Sequence, residues 1–509
     1  MSVDFLLLSM LVVLPASGAA LLRRVHAPER ARRVALGVAA LTLVLALGVL
    51  VLFLAGGPGA RELASWGRVP LLGLSLRLGV SGVSVVALLL AALLSLVLVA
   101  SGPRQALDRE TLGALLLTES ATLGFFCAQD LGLMVVFWVA MLWPAKVLIS
   151  RHVRSRPEDR LLRTFRTYLL AGSLPLVAAV VLLGLPGWQS GAEAPLGLSE
   201  LLARGVLAPR QAAILALLVL AAAFRMAVVP FHSWLPVLLA RGPFGVGLLL
   251  VNVHTGLYLL VRVAMPLLPE AWAAAGPLLE GVGLFGAFYG SVLALAQVDL
   301  RRTVGFLLVS QSGLMLAGLA ERNAESISGA LLQSVAAAVP LTGLMMVVRA
   351  LEARTGTADM TRLGGLVRRS PRMAALFFLL GGAGLGFPGT LSFVGEDLLL
   401  HGILGAHPLV ALPLLLTTAI NGITFLRAFM RTFLGAPAHG QSPVLEAVED
   451  LLPRERFAAV SLCALAFLGG LLPGPMLRLR EHEVTVLVGH EAPSAQGDSG
   501  SHGAAVRSH

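Results

Sequence analysis

The chain has 509 residues, of which 57% are hydrophobic and only 13% are charged, and its mean hydropathy is +0.86. Soluble proteins carry about 25% charged residues, so this composition excludes a soluble enzyme and predicts a membrane protein. The net charge of +10 does not indicate nucleic-acid binding, because no basic stripe with interleaved aromatic residues occurs.

Runs of about 20 mostly apolar residues predict membrane-spanning helices. The first run resembles a signal peptide, but Asp4 stands where basic residues should precede it and Arg23 and Arg24 follow it, which indicates an uncleaved helix. Fourteen spans are predicted in chain order, at 3–22, 34–55, 83–101, 111–128, 131–150, 167–187, 211–236, 243–267, 273–297, 303–320, 328–350, 373–400, 408–430 and 457–477.

The basic residues predict the orientation of these spans. Loops on one side hold 26 of the 38, and loops on the other side with the C-terminal tail hold 10. Because basic loops stay in the cytoplasm, both termini are predicted outside it, in an inner (plasma) membrane. The tail 481–509 is rich in Gly, Ser and His and is predicted to be disordered.

Four segments carry a recognisable pattern: AAAFRMAVVPFHSWLP at 221–236, NVHTGLYLLVR at 252–262, ALAQVDLRRTVGFLLVSQSGLMLAGL at 294–319 and LGFPGTLSFVGED at 385–397. In this order they resemble the antiporter-like proton-translocating membrane subunits. This family contains the M, N and L subunits of respiratory complex I and relatives in Mrp antiporters, membrane-bound hydrogenases and inorganic-carbon importers. The M-type subunit is the most similar, and the chain is divergent from it.

The resemblance implies an all-α polytopic fold with two inverted five-helix repeats. The implied organisation is three N-terminal spans in 1–110, repeats at 111–267 and 273–430, a loop with the last span in 431–480 and the tail in 481–509. Each repeat should contain one broken helix. Pro230 and Pro236 interrupt the seventh span, and Pro388 and Gly389 interrupt the twelfth, since proline lacks an amide donor and glycine weakens helices.

Family members conduct protons along a row of ionisable residues in the middle of the membrane. The family's glutamate on the fifth span is Val139 here, and its lysine on the seventh span is Arg225, which cannot release a proton. Glu119 on the fourth span is interpreted either as the missing counter-ion of Arg225 or as a polar group packed between helices. Because neither Val139 nor Arg225 can exchange a proton, the first half-channel cannot work by the usual glutamate and lysine pair.

Lys146 is the single lysine of the chain and follows Val139 by seven residues on the same predicted helix. Its amine either extends to the cytoplasmic interface or titrates inside the membrane. The second interpretation rests on the use of arginine at every other basic position.

Three further positions complete the predicted middle of the row. His254 occupies the family's bridging position and can exchange protons near neutral pH. His232 matches a histidine just past the first helix break, at the cytoplasmic entrance. Gln311 replaces the family's histidine on the tenth span, so it can hold water but cannot titrate.

Glu396 matches the terminal glutamate of M-type subunits, and Asp397 follows it directly. Two adjacent carboxylates beside a helix break are expected to repel each other, which suits proton exchange. Glu396 is predicted to be the exchanging group, and Asp397 is predicted to cap the second half-helix.

The predicted function is proton conduction by a subunit of a multisubunit complex. The expected partners are other membrane subunits and a cytoplasmic redox arm or another energy-coupling subunit, in a lipid bilayer and without nucleic acid. Cys127 and Cys463 are too isolated to ligate a metal centre, so no cofactor and no metal is expected in this chain. A cation/proton antiporter subunit, a carbon-importer subunit and a non-conducting scaffold remain alternatives.

Overall fold

The computed structural model describes residues 3–56, 61–69, 74–102, 107–154, 159–189, 196–242, 245, 249, 254–435 and 448–489. Helices dominate these residues. One antiparallel hairpin, β1 (Arg61–Val69) paired with β2 (Leu74–Val80), departs from the all-α prediction. It lies in the connection between the second and third predicted spans, which contains too few apolar residues to form a span. Strand pairing satisfies the hydrogen bonds of its backbone groups.

The helices are numbered here in chain order. They are α1 (Val3–Leu22), α2 (Pro28–Gly56), α3 (Gly82–Ser101), α4 (Arg109–Cys127), α5 (Leu131–Ala140), α6 (Leu142–Arg154), α7 (Asp159–Phe165), α8 (Leu174–Gln189), α9 (Leu198–Arg204), α10 (Ala208–Met226), α11 (Trp234–Arg241), α12 (Thr255–Leu267), α13 (Pro269–Ala296), α14 (Leu300–Ala320), α15 (Ala324–Thr355), α16 (Pro371–Ala383), α17 (Leu391–Ala406), α18 (Ala411–Phe429), α19 (Pro453–Leu471) and α20 (Gly474–Gly489). Short π or 3₁₀ turns link α7 to α8, lie within α12 and extend α18.

The chain is a polytopic membrane protein. Within the described residues, ten helical segments are long and apolar enough to span a membrane, or eleven if the bent pair α19 and α20 is one span. Three of the ten join consecutive pieces given above: Leu131–Arg151, Leu161–Leu185 and Ala411–Leu434. These ten correspond to ten of the fourteen predicted spans, so the count of fourteen is not confirmed.

Three of the other four predicted spans differ for a physical reason, and the fourth lies partly outside the described residues. The helix α4 carries Glu110, Glu119 and several hydroxyl groups, which lower its hydropathy. The prediction at 243–267 lies largely outside the described residues up to 253, and α12 begins only at Thr255. The prediction at 373–400 is divided into the short helices α16 and α17, and the last span is bent by 67° into α19 and α20.

The centre of the molecule consists of α14 and α15, which are almost completely buried. Glycines let α13 pack tightly against α14, because a Cβ at Gly283 would lie 2.6 Å from the Ala317 nitrogen. Small residues of this kind are typical of helix interfaces in membranes. The core helices are therefore held in fixed relative positions, and they carry the polar side chains described below.

The helix α20 corrects the prediction of a disordered tail from residue 481. It runs to Gly489, and it is anchored to α3 by a hydrogen bond from the Val83 amide to Glu483 Oε2 (2.8 Å). The remainder of the predicted tail, 490–509, lies outside the described residues.

Candidate functional site

Glu396 lies at the centre of a buried polar cluster that several helices build. Its Oε2 accepts a hydrogen bond from Thr418 Oγ1 (3.2 Å), and its Oε1 accepts one from Gln333 Nε2 (3.5 Å). Gln333 Nε2 also approaches Gln311 Oε1 (2.5 Å) and Ser392 Oγ (3.0 Å). The hydrogen bonds to the carboxyl group therefore come from neutral amide and hydroxyl groups, and no cation contacts it among the described residues.

The cluster continues through a second contact. Asn421 on α18 donates to Ser310 Oγ on α14 (3.0 Å), directly beside Gln311 in the chain. Asn421 Oδ1, Gln311 Nε2 and the Ser312 hydroxyl are buried with no hydrogen-bond partner. Buried polar groups normally bind a partner, and water is the usual one where protein groups are missing. This region can therefore hold a chain of water molecules.

The predicted break of the twelfth span is present and shapes the site. The segment between α16 and α17 contains Gly386 and Gly389 with φ of +79° and +83°, a conformation that favours glycine. A Cβ at Gly386 would lie 2.8 Å from Glu396 Oε2, so this glycine also admits the carboxylate. Pro388 lies in the same segment, as predicted.

The structure contradicts the expectation for Asp397. Its side chain is half-exposed and points toward His401, whereas Glu396 is 8% exposed and faces the core. Adjacent residues of a helix do not share a face, so the two carboxylates do not form a repelling pair. The cap of α17 is Thr390, whose hydroxyl accepts from the Phe393 amide, and not Asp397.

Arg225 is buried at the end of α10 in an aromatic and thioether environment. It donates from Nε to Thr255 Oγ1 (3.1 Å) and from Nη2 to Met141 Sδ (3.1 Å), and its guanidinium lies 5.0 Å from the Trp138 ring centroid. Its third nitrogen, Nη1, has no partner. The cation is held by a ring, a hydroxyl and a sulfur atom.

Glu119 does not fill the role of counter-ion to Arg225. It is fully buried on α4, where Ser95 Oγ donates to its Oε2 (2.7 Å) and its Oε1 has no hydrogen-bond partner. Within the described residues, no ion pair joins it to Arg225. The geometry agrees with the alternative interpretation of a polar group packed between helices, because its hydrogen bond goes to the neighbouring helix α3.

The break of the seventh span is also present. The chain leaves α10 at Ala227, which has a φ of 59°, and passes Pro230 before α11 begins at Trp234. Pro236 lies in the first turn of α11, where the missing amide hydrogen costs little, so it does not itself form the break. His232 lies in the broken segment, with its ring near Tyr289 and its Nδ1 buried without a partner.

His254 lies at the start of α12 beside a small cavity. It is 5% exposed, and its Nε2 has no hydrogen-bond partner. The cavity, about 30 Å³ in volume, is lined by His254, Ser334 and the buried Arg480 of α20, among others. This volume holds one or two water molecules. Water here would connect the histidine with the unpartnered guanidinium nitrogens of Arg480.

Lys146 lies apart from these groups. It is half-buried on α6, and its Nζ lies 5.2 Å from the ring centroid of Trp143, which is itself 64% exposed. No described carboxylate lies within 4.0 Å of it. Val139, at the position of the family's glutamate, is 43% exposed on the outer face of the bundle.

Sequence reasoning missed several polar residues of the site. Within the Glu396 cluster these are Gln333, Ser392, Thr418 and Asn421, and beside His254 it is Arg480. The available signal was polarity within otherwise apolar helices, since such side chains face the protein interior. Arg480 was missed because it was assigned to the end of the last span and the tail.

A profile of the family described as "NADH:quinone oxidoreductase/Mrp antiporter, TM" matches residues 128–421, more than half of the chain. The matched region contains both broken helices and the Glu396 cluster. The chain belongs to this family.

Relatives in this family are similar over most of their length. Subunit M of NADH-quinone oxidoreductase from Pseudomonas aeruginosa is 31% identical over 417 residues, which cover 80% of this chain and 81% of that protein. Subunit 13 of the same enzyme from Thermus thermophilus is 33% identical over 372 residues, which cover 72% of this chain and 76% of that one.

Solved structures are similar as well. A chain of respiratory complex I from Thermus thermophilus with bound NADH superposes with a TM-score of 0.84 at 29% identity, covering 95% of this chain and 99% of that chain. A chain of the Mrp complex from Dietzia sp. DQ12-45-1b superposes with a TM-score of 0.81 at 19% identity, covering 96% and 98%. The second similarity concerns the fold alone.

Membership of the family gives the departures at Val139, Arg225 and Gln311 their meaning. The family's fold is present, and at three positions where the resemblance predicts a titratable group this chain has residues that cannot exchange a proton. Of the titratable groups expected in the row, Glu119 and Glu396 are buried with hydrogen-bond partners, and His254 is buried beside a small cavity.

Proposed function

We propose that this chain is a proton-conducting membrane subunit of a multisubunit complex, of the M type found in NADH-quinone oxidoreductases. The observation that carries the proposal is the buried Glu396 carboxyl group, which lies beside a broken helix in a cluster of neutral polar side chains with unpartnered polar atoms. An ionisable group inside the membrane is costly and is retained where a function needs it. Subunit M and subunit 13 of such enzymes are relatives of this chain.

The proton route joins the Glu396 cluster of the second repeat to His254 of the first. Glu396 exchanges protons with water beside Gln311 and Asn421, whose buried polar atoms have no protein partner. Water beside His254 and Arg480 forms the next station. Both stations border the central helix α15, on which Gln333 and Ser334 are consecutive residues.

In the first half we propose a fixed positive charge in place of an exchanging pair. Arg225 keeps its proton and has no carboxylate partner among the described residues, and Val139 removes the family's glutamate. This arrangement supports a structural role for the region around Arg225. There the cation orients water near His232 but carries no proton itself. The same observation favours the scaffold alternative for that half of the chain.

The finer architecture is part of the proposal. It comprises fourteen spans and two inverted repeats, at 111–267 and 273–430, preceded by spans in 1–110 and followed by 431–489, which ends with α20, and by residues 490–509. Both termini lie outside the cytoplasm of a plasma membrane, because most basic loop residues then lie inside it.

The partners follow from what the chain lacks. We place the redox or other energy-coupling chemistry and any cofactor in partner subunits, because the two cysteines are isolated. Neighbouring membrane subunits complete the complex. A cation/proton antiporter or a carbon importer would use the same conducting unit with a different coupling partner.

The experiment is a proton-flux measurement in proteoliposomes that contain the wild type, Glu396→Gln or Asp397→Asn. We expect flux in the wild type, a loss of at least about tenfold with Glu396→Gln, as for other groups that transfer protons, and no change with Asp397→Asn. The matched control tests a neighbouring carboxylate on the outer face of the same helix. No flux in the wild type would identify a scaffold, and equal flux in all three would contradict the role of Glu396.

A further inference from the structure

Three side chains that can ligate a metal meet where the ends of two helices approach the side of a third. Glu280 lies on α13, Glu321 follows α14, and His407 follows α17. One ligand atom from each lies within 4.8 Å of the other two. They come from positions far apart in the sequence, so no spacing motif indicates them.

The burial of Glu280 shows that this group is more than a patch of surface charge. The residue is only 6% exposed, and its Oε1 has no hydrogen-bond partner. Its carboxyl group lies within hydrogen-bonding reach of Glu321. Two carboxylates in contact, one of them buried, require a shared proton or a cation between them. Glu321 is partly exposed and His407 is exposed, so the group is open to solution.

The backbone around the three ligands is held in place by direct contacts. Trp272 Nε1 on α13 donates to the Leu319 carbonyl at the end of α14 (3.3 Å). Asn323 Nδ2, two residues after Glu321, donates to the Gly402 carbonyl on α17 (3.0 Å). These bonds connect all three elements within one turn or two of the ligands, and rigid elements make precise sites.

We propose that Glu280, Glu321 and His407 form a binding site for a divalent transition-metal ion of the Zn²⁺ class. Imidazole nitrogen and carboxylate oxygen are ligands that zinc uses, and three protein ligands leave a position for water. The imidazole selects against Mg²⁺ and Ca²⁺, which prefer oxygen ligands.

The site links α13 to the ends of α14 and α17, two of the helices that carry the Glu396 cluster. Glu321 follows Gln311 by ten residues, and His407 follows Glu396 by eleven, which corresponds to about 15 Å along each helix. A bound ion would therefore fix the relative positions of α13, α14 and α17. The proposal concerns binding alone and does not rest on proton conduction.

The test is zinc titration of the purified full-length chain by calorimetry, together with its melting temperature with and without ZnCl₂. The affinity tag is removed, and His490, His502 and His509 of the tail are replaced by alanine in every sample, since they could bind zinc themselves. We expect one saturable Zn²⁺ site, insensitive to Mg²⁺, and a rise in the melting temperature, because a ligand that binds only the folded state stabilises it.

Two variants and two matched controls make the result specific. Glu321→Gln and His407→Ala should weaken zinc binding by at least about tenfold. Glu325→Gln and His401→Ala change exposed groups of the same types nearby and should bind as the unsubstituted sample does. Melting without zinc shows whether each variant folds. No binding by the unsubstituted sample, or unchanged binding in both folded variants, would overturn the proposal.

Discussion

The side chains of Glu396 and Asp397 leave the helix on different faces, and this difference decides their chemistry. Glu396 enters a cluster formed by α14, α15, α17 and α18, while Asp397 stays with His401 at the outer surface. A carboxyl group changes its protonation in response to its surroundings, so the two neighbours in the chain have unrelated roles.

Lys146 provides a prediction at the same scale. Its Nζ lies over the ring of the exposed Trp143, at a position that an arginine can also occupy, since both cations bind aromatic faces. We expect Lys146→Arg to leave assembly and proton flux unchanged, as measured in proteoliposomes. A loss of flux with normal assembly would instead assign the amine to the proton relay, because arginine does not release its proton.

At the scale of the element, the broken helix between α16 and α17 depends on two glycines with positive φ. An alanine at Gly389 is strained by backbone conformation alone, and an alanine at Gly386 also approaches Glu396 Oε2. We expect Gly389→Ala to lower the free energy of unfolding by about 1–2 kcal/mol. We expect Gly386→Ala to lower it further and to reduce flux.

Gly405→Ala is the control for this series, measured by thermal or chemical unfolding of the purified chain. Gly405 lies in the same helix α17 without a positive φ, and a Cβ there meets no atom within 4 Å. Its replacement should be neutral or slightly stabilising. If all three variants unfold alike, the break does not depend on glycine conformation.

The connection between α4 and α5 gives a prediction about pH. Asp130 is fully buried and caps α5, accepting from the Leu133 amide (3.1 Å) and the Ser75 amide of β2 (3.3 Å). Burial raises the pKa of its carboxyl group above the ordinary value, and the hydrogen bonds oppose this only in part. A raised acid pKa means that stability is greatest at low pH and decreases as pH rises through the folded-state pKa.

Asp130→Asn keeps a capping oxygen but cannot ionise. We therefore expect the melting temperature of Asp130→Asn, relative to the wild type, to increase as pH rises from acidic to neutral values. Asp108→Asn, which changes the exposed cap of α4, controls for removal of a capping charge. A constant difference between Asp130→Asn and wild type across this range would contradict the argument.

At the scale of the whole molecule, the distribution of arginine predicts the orientation. The two native cysteines are buried, so single cysteines placed at exposed sites report their side of the membrane. We expect Ala27→Cys and Ala353→Cys to react with a membrane-impermeant maleimide only after the membrane is opened. Ala203→Cys should react in intact cells or spheroplasts. The reverse pattern would place both termini in the cytoplasm.

The whole molecule also brings α20 over the interior of the bundle. Its Arg480 reaches the cavity of His254, and its Glu483 accepts from the amide of Val83 on α3. The segment that forms α20 contains several charged residues, so the sequence alone predicts a polar tail from residue 481. Only its packing against α3 and α15 shows which of these charges are buried.

The sequence by itself determined the membrane location, the family, both helix breaks and the position of Glu396 just after the second break. These features follow from local causes: apolar runs of sufficient length, proline and glycine in a helix, and a motif of consecutive residues. Ten of the fourteen predicted spans correspond to long apolar helices. The breaks also explain why the twelfth predicted span divides into shorter helices.

The tertiary structure decided which distant side chains meet. It paired Glu396 with Gln333 and Thr418, left Arg225 without Glu119, and joined Glu280 to His407 across 127 positions of the chain. Such contacts depend on how each helix is rotated and displaced against its neighbours. Periodicity within one segment does not specify that rotation, because it is set by packing between segments.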